Sequence, residues 1–577
     1  MSNYPIGDWS DHQNILQLLV NDFSALEKKV KIFLKKVLKV NYADQNELQI
    51  VISNLKNFQD CIENIGSKPE CSDFIIFILD LVVGHSRIRE IFLENPNPRE
   101  LRIVLIELFC LLCSCQIELA KDRENLIDFV LGTYNATLSY HDQLLLQLLF
   151  KFESAGLNLQ RYQPFMWGVN GASFYAAKQS QKLAFLKLPT IEQTFKGINT
   201  QRLAASLSWF PIHLKMFTDS QIEIYLSIED DYSNCYDPRF ILPMFHHFLS
   251  NQTIVKCHKF ISFGGLSYAI ASLSSECEHL REIAYKILSQ LHHHLECASY
   301  PQDRQLWIGL IDYIRSGLTE PNQRIDCIHT VFLVNFIEIL SNPLGPMFPS
   351  AREYLIRSQF KPYNFKMLPA YYRIAMHLVS TSSVKSYTEF QKFIIIWIND
   401  SLRTGNDIRQ CHRKGVFNDM LILYNSPLCA VENRPLIMNL ILTAAKLYDG
   451  IKVLCLECAI FTWIKHQLIT FTSIDGTGGT NKGLLFKLVV TIWQTAKTKT
   501  DNIDSVKRNI FYQSFGYELI DVLTRIMYKC QDRERIDKFT QIMEHILSQT
   551  NDELYVKNIK FNACFNLPFN LRTILSS

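Results

Sequence analysis

Glycine and proline are scarce in this chain of 577 residues: 21 and 19, about 7% together where about 12% is usual. A sandwich or barrel reverses direction every few residues and uses those two residue types to do so, which argues against an all-β design and for helices. Cysteine is thin as well, at 16 residues, far below the density of a disulfide scaffold. The opening MSNYPIGDWSDHQ has neither a basic n-region nor an apolar h-region. No secretory leader is therefore expected, and the thiols are expected in a reducing compartment. The Asn-x-Thr triplets at Asn135 and Asn251 then read as chance matches. Long apolar runs are missing: the strongest, Ile103 to Cys115, is interrupted by Glu107 and flanked by Arg102 and Glu118, and a spanning helix needs about 20 apolar residues. Nor does charge of one sign dominate. Lys and Arg number 59 against 56 Asp and Glu, a net +3, so any binding of nucleic acid must rest on local patches.

What the chain does have is apolar content, 48% hydrophobic against 20% charged, enough to bury a large core. Its length is about four domains' worth, or one long solenoid. Apolar residues recur at helical spacing nearly throughout. Residues 12–40 carry Leu16, Leu19, Val20, Phe23, Leu26, Val30, Phe33, Leu34, Val37 and Leu38 on one side. Helix starts are marked by Asn97-Pro98-Arg99-Glu100, by Thr190 with Gln193 behind Pro189, and by Asp237-Pro238. In 263–296, Phe263-Gly264-Gly265 breaks the chain and Leu266, Ala269, Ile270 and Leu273 form one stripe. Ser275 with Glu278 then opens a helix carrying Leu280, Ile283, Ala284, Ile287, Leu288 and Leu291. Two short amphipathic helices in tandem are the unit of an armadillo or HEAT array. The expected fold is all-α, an irregular armadillo/HEAT-like helical solenoid. Its expected parts are N-terminal helical repeats at 1–125, a helical-repeat domain at 126–470, a Gly/Thr/Lys-rich loop and linker region with one short helix at 471–502, and a C-terminal helical segment at 503–577.

No pattern points to catalysis. The glycine-rich FTSIDGTGGTNKG lacks the G-x-x-x-x-G-K-[ST] order of a phosphate loop: Lys482 precedes Gly483, and Leu484 stands where a hydroxyl is needed. Cys110/Cys113 and Cys455/Cys458 are C-x-x-C pairs inside apolar helical segments hundreds of residues apart. They read as buried thiols rather than as a zinc site, which wants four ligands close together. His293 and Cys297 stand at i and i+4 beside His292 and His294, with His246-His247 and Cys257-His258 earlier, and no second ligand pair completes a metal site. Glu229-Asp230-Asp231 reads as a solvated turn. No G-x-S-x-G, H-E-x-x-H or kinase signature occurs. The expectation is a protein without catalytic residues, metal or cofactor.

The first helix is the clearest basic feature. Lys28, Lys31, Lys35 and Lys39 recur at i, i+3, i+7 and i+11 and share a face, a spacing suited to phosphates or to an acidic partner.

The middle of the chain carries distinctive strings in a fixed order. They are TYNATLSYHDQLLLQLLFKFE at 133–153, PFMWG at 164–168, CYDPRFILPMFHHFLS at 235–250 and KFISFGGLSYAIASLSS at 259–275. LREIAYKILSQLHHHLE at 280–296, EPNQRIDCIHTVFLVNFIEILSNP at 320–343 and MFPSAREYLI at 347–356 follow. Over about 126–470 this resembles the C-terminal region of the nucleolar pre-ribosomal-associated protein 1 family. The resemblance implies a non-enzymatic helical solenoid of the nucleus and nucleolus, a scaffold in large-subunit assembly and pre-rRNA processing. The partners it implies are pre-rRNA and pre-60S particles, small nucleolar RNPs and other assembly factors, including a DEAD-box RNA helicase. Family members are usually far longer, with a large N-terminal helical region. Within the matched stretch, Arg239, Lys256, Lys259 and Arg281 lie near successive helix ends and are candidate phosphate contacts. A cytosolic helical-repeat adaptor that binds only proteins is the alternative, motivated by the low net charge.

Overall fold

The computed structural model describes residues 23–39, 45–66, 71–93, 99–121, 123–159, 167–180, 197–217, 224, 232–250, 256–297, 301–358, 361–381, 384–470, 478–500, 516, 518–526, 538–543 and 545–546. Among them every regular element is a helix, and the one β feature is an isolated antiparallel bridge, Thr137 to Tyr236. No described helix is long and apolar enough to cross a membrane. The chain divides into two compact units, Met1–Arg304 and Gln305–Ser577, a division that falls inside the helix Pro301–Ser316.

The first unit contains α1 (Phe23–Lys39), α2 (Gln45–Gly66), α3 (Ser72–Gly84), α4 (Ser86–Leu93), α5 (Arg99–Cys115), α6 (Ile117–Lys121), α7 (Glu124–Thr133) and α8 (Tyr140–Ser154). It continues with α9 (Gly168–Gln179), α10 (Thr200–Ser208), α11 (Pro238–Phe248), α12 (Cys257–Ser262), α13 (Gly265–Ser272) and α14 (Glu278–Cys297). The second contains α16 (Cys327–Leu340), α17 (Phe348–Ser358), α18 (Tyr371–Thr381), α19 (Val384–Ser401), α20 (Gly405–Arg413), α21 (Val416–Asn425), α22 (Arg434–Ala445), α23 (Tyr448–Lys452), α24 (Ile460–Thr470) and α25 (Gly478–Thr500); α15 (Pro301–Ser316) spans the division.

A packing rule repeats in each unit. Helix α2 packs on α5 and α5 on α8; α11 packs on α14; α16 packs on α19, α19 on α22 and α22 on α25. In each of these pairs a helix meets the third described helix before it, as in a solenoid whose recurring unit holds three helices. The tandem pair read from residues 263–296 is part of that unit. Its local signals hold: Gly264 has φ +102, which only glycine adopts without strain, and a Cβ at Gly265 would stand 2.6 Å from the Phe260 ring. Helix α14 buries Leu280, Ala284, Ile287, Leu288 and Leu291. The Ser275 hydroxyl accepts the Cys277 N–H at 3.1 Å.

Helix α1 packs rather than projects. Leu26, Val30, Phe33, Leu34, Val37 and Leu38 are all buried, and α1 contacts α3. Arg87 donates from Nη1 to the Leu38 carbonyl at 2.8 Å, satisfying one of the acceptors that a helix end leaves over. Residues 12–22 of the expected helix lie outside the described residues, as do the starts at Asn97 and Thr190 and the turn at Glu229-Asp230-Asp231.

The region 471–502 departs from expectation. Gly478, Gly479, Gly483 and the TAKTKT stretch are all inside α25, which runs to Thr500. The reason is burial: Leu485, Leu488, Val489, Ile492, Trp493 and Ala496 recur at i, i+3, i+4, i+7, i+8 and i+11 and are all buried, with α25 packed on α22. Tertiary packing of such a stripe outweighs the cost of about 1 kcal/mol for each helical glycine. Residues 471–477 lie outside the described residues.

Candidate functional site

Four places bring polar residues together, and two of them are closed. The first surrounds the YDPRF string. Asp237 caps α11, accepting the Arg239 N–H at 2.9 Å, with Pro238 at the first helical position. The Arg239 guanidinium folds back on the same carboxylate, Nε at 3.0 Å and Nη2 at 2.7 Å. Nη2 also donates to Gln143 Oε1 at 3.1 Å, and Gln143 Nε2 donates to the Leu138 carbonyl at 2.9 Å. The guanidinium lies 4.1 Å from the Phe217 ring centroid. Across the bridge, Leu138 N donates to the Cys235 carbonyl at 2.9 Å and Asp237 N to the Ala136 carbonyl at 2.8 Å. Asp142, fully buried, accepts the N–H groups of Asn135 at 3.2 Å and Thr137 at 3.1 Å, together with the Thr137 hydroxyl. Tyr236 extends the clasp: its hydroxyl accepts from Asn199 N at 2.8 Å, its N–H donates to Ser206 Oγ at 2.8 Å, and its carbonyl accepts from Tyr268 Oη at 3.4 Å. Four segments distant in sequence are tied at one point.

This overturns one expectation. The Arg239 side chain is 2% exposed and its partner carboxylate 0%, so Arg239 is spent on a buried ion pair and reaches no phosphate. A guanidinium left buried without such a partner would be costly, and its short, bidentate pairing answers that cost. Of the other candidates, Lys256 is exposed and Lys259 half-buried. Arg281 donates from Nη1 to the Ser275 and Glu276 carbonyls at 3.0 Å each, clamping the turn before α14.

The second closed cluster lies in the second unit. His329 is buried; its Nδ1 lies 3.1 Å from Tyr363 Oη and its Nε2 3.1 Å from Gln410 Oε1. An amide oxygen only accepts, which assigns the proton to Nε2 and leaves Nδ1 to accept from the phenol. Burial holds the imidazole down to about 4, neutral at physiological pH. Gln410 Nε2 donates to Asp326 at 2.8 Å. Asp407 accepts Ile328 N at 3.1 Å, Thr404 N at 2.9 Å and Thr404 Oγ1 at 2.7 Å, and Thr404 caps α20. Burial pushes Asp407 up to about 6. Trp397 Nε1 donates to the Ile328 carbonyl at 2.9 Å. The N-terminus of α16 is thereby fastened to α20.

The thiol and imidazole clusters read from the sequence have ordinary surroundings. Cys110 and Cys113 are buried in α5, and burial raises both thiols well above the usual range. Burial pushes Cys455 up to about 12 and Cys458 to about 11. His293 Nε2 and Cys297 Sγ approach to 4.0 Å, and His294 Nε2 bonds the Leu249 carbonyl at 3.0 Å. Among the described residues no three His, Cys, Asp or Glu side chains gather as metal ligands would.

Two surfaces remain open. On α1, Lys28 and Lys35 are exposed, as are Lys29 and Lys36, whereas Lys31 pairs with Glu27 at 2.6 Å and lies 5.5 Å from the Phe77 ring. The Lys39 side chain lies outside the described residues. The other is a groove of about 600 Å³ in the second unit, walled by α17, the 361–370 loop and the start of α18. Arg357, Lys361 and Arg373 stand exposed along it and Lys414 half-exposed, with Glu353 opposite, paired to Arg357. Its floor holds Pro362, Met367, Leu368, Pro369 and Ile374. Sequence reading missed this groove. Its one local trace is KPYNFKMLPA, where lysines alternate with prolines and aromatics between two helices.

Residues 266–463 match the family model described as nucleolar pre-ribosomal-associated protein 1. The mouse protein of that name is 26% identical over 344 residues, 59% of this chain. The human protein of that name is 23% identical over 444 residues, 76% of this chain. The matched stretches span 15% of the mouse protein and 19% of the human one. No solved structure matches. The model match takes in the His329–Asp407 cluster and the groove, and over that stretch the chain is similar to the nucleolar pre-ribosomal-associated protein 1 family.

Proposed function

We propose that this chain is a non-enzymatic helical scaffold of the nucleolus that acts in assembly of the large ribosomal subunit and in pre-rRNA processing. The observation that carries the reading is the match of residues 266–463 to a family named for pre-ribosomal association. The site chemistry agrees with it: the buried Asp, Arg, His and Gln side chains of both polar clusters are spent on holding segments together. In this reading RNA is held electrostatically, and the exposed lysines of α1, Lys28 and Lys35 with Lys29 and Lys36 beside them, are its first contacts. Pre-60S particles, small nucleolar RNPs and assembly factors, a DEAD-box helicase among them, are the proposed partners. Sedimentation of nuclear extract containing the tagged chain tests this. Co-migration with early large-subunit precursors is expected; migration as free protein would turn the reading towards a cytosolic adaptor for proteins alone.

A further inference from the structure

We propose that the groove of the second unit docks an acidic peptide segment of a partner protein, one that alternates carboxylates with large apolar side chains. This goes beyond the assembly reading, because it assigns a protein ligand to a surface separate from the lysine face of α1.

Charge selects the sign of the ligand. Four cations, Arg357, Lys361, Arg373 and Lys414, line the groove against one carboxylate, Glu353. That carboxylate is already paired to Arg357, within one turn of α17. Beyond that paired carboxylate no acidic residue lines the groove, so three positive groups face it, and an acidic ligand is steered there and held in register. Lys366, in the same loop, is exposed too.

The floor selects the kind of ligand. Leu368 and Pro369 line the groove as buried residues, while Met367 is 46% exposed and Ile374 39%, and Pro362 is exposed with them. Leaving such side chains in water is unfavourable, and inserting leucine or phenylalanine side chains removes that contact. A single-stranded nucleic acid would instead want exposed ring faces on which to stack its bases. The tyrosines of the groove do not offer them. Tyr354, Tyr363 and Tyr372 are only 7%, 5% and 4% exposed. Tyr313 packs edge-on against Tyr354 and Tyr363, at 6.2 and 4.8 Å between centroids. Their hydroxyls are committed as well: Tyr313 with Tyr354 at 3.0 Å, Tyr363 with His329 at 3.1 Å and Tyr372 with Asp419 at 2.9 Å. The cations supply orientation, and the apolar floor supplies the area.

Fluorescence anisotropy on the full chain tests this. The probes are a labelled peptide of alternating glutamate and leucine, the same peptide with lysine for glutamate, and an oligouridylate of equal length. The acidic peptide is expected to bind saturably and the basic one not. The double variant Lys361→Glu/Arg373→Glu should weaken the acidic peptide by about tenfold or more. Met367→Ser/Ile374→Ser should weaken it while leaving the salt dependence in place, because it removes area and no charge. All four positions are exposed, so an unchanged Tm verifies the fold. Equal binding of the two peptides to the unaltered chain overturns the proposal, and that arm does not depend on any variant. So does a charge-reversal variant that loses oligouridylate binding and keeps the peptide.

Discussion

The two buried polar clusters do the same work with different chemistry. Each ties the start of a helix to distant segments: Asp237 and Arg239 at α11, and Asp407, His329 and Gln410 at α16 and α20. In the first unit the fastening is a fully buried ion pair, closed on itself across two residues and completed by Gln143. In the second it is a chain of hydrogen bonds through an imidazole kept neutral by burial and a carboxyl that burial pushes towards protonation. A buried ion pair fails badly when one partner is removed, because the other charge is stranded. A network built on groups that burial has moved to about 4 and about 6 fails instead when the pH moves.

The largest expected effect separates the two. Asp237→Ala strands Arg239 and removes the cap of α11, and should cost about 3–5 kcal/mol. Urea unfolding monitored by far-UV circular dichroism would show the shifted midpoint. A loss below about 1 kcal/mol would mean that the pair contributes little to the first unit.

In the second unit the sensitivity is to protons. His329 has its folded value lowered from 6.5 to about 4. The unfolded chain therefore binds more protons in that window, and this contribution is complete above pH 6.5 and lost as pH falls towards 4. The loss is about 3 kcal/mol. Asp407 runs the other way: its folded value is raised from 3.8 to about 6, so its contribution is present below pH 3.8 and lost as pH rises through 6. The two slopes oppose one another between pH 4 and 6. His329→Gln should remove the favourable rise and make the variant comparatively more stable in acid. Asp407→Asn should expose the full acid loss. Unfolding curves at pH 4 and pH 7 for the unaltered chain and both variants give the comparison, and parallel shifts for all three would contradict it.

A smaller effect probes how the first clasp leans on its neighbours. Tyr268, on α13, donates to the Tyr236 carbonyl, and α13 begins after Gly264 at φ +102. Gly264→Ala imposes about 1–3 kcal/mol of backbone strain, and its Cβ would meet Leu203 at 2.8 Å. Thermal unfolding should register a lower Tm. The smallest effect is at the surface. Lys28→Glu/Lys35→Glu should change stability by under about 0.5 kcal/mol, while salt-sensitive RNA retention on a filter falls.

What was legible in the sequence was what neighbouring residues decide. The stripes of α1 and α14, the Asp237-Pro238 start and the break at Gly264-Gly265 are all local patterns. The described part of the α1 stripe from Leu26 to Leu38 is buried, the α14 stripe is buried except for the half-buried Ile283, and the start and the break form as read. The fate of Arg239 was hidden because its acceptor Gln143 lies 96 residues away, so a cation beside a helix start looked like surface charge. The extent of α25 was hidden because glycine content argued locally for a loop, while the burial that overrides it comes from α22. The groove was hidden for the same reason: Arg357, Lys361, Arg373 and Lys414 come from separate helices and a loop, and no stretch of sequence places them together. The every-third-helix stacking is likewise a property of long-range packing, with no repeated motif to announce it.

The most direct test of the scaffold reading is ultraviolet crosslinking of the tagged chain in cells, with sequencing of the attached RNA and mass spectrometry of the crosslinked peptide. The account predicts precursor-rRNA sequences attached to the peptide that carries Lys28 and Lys35. Recovery of no precursor rRNA, with the chain sedimenting free of particles, would contradict it.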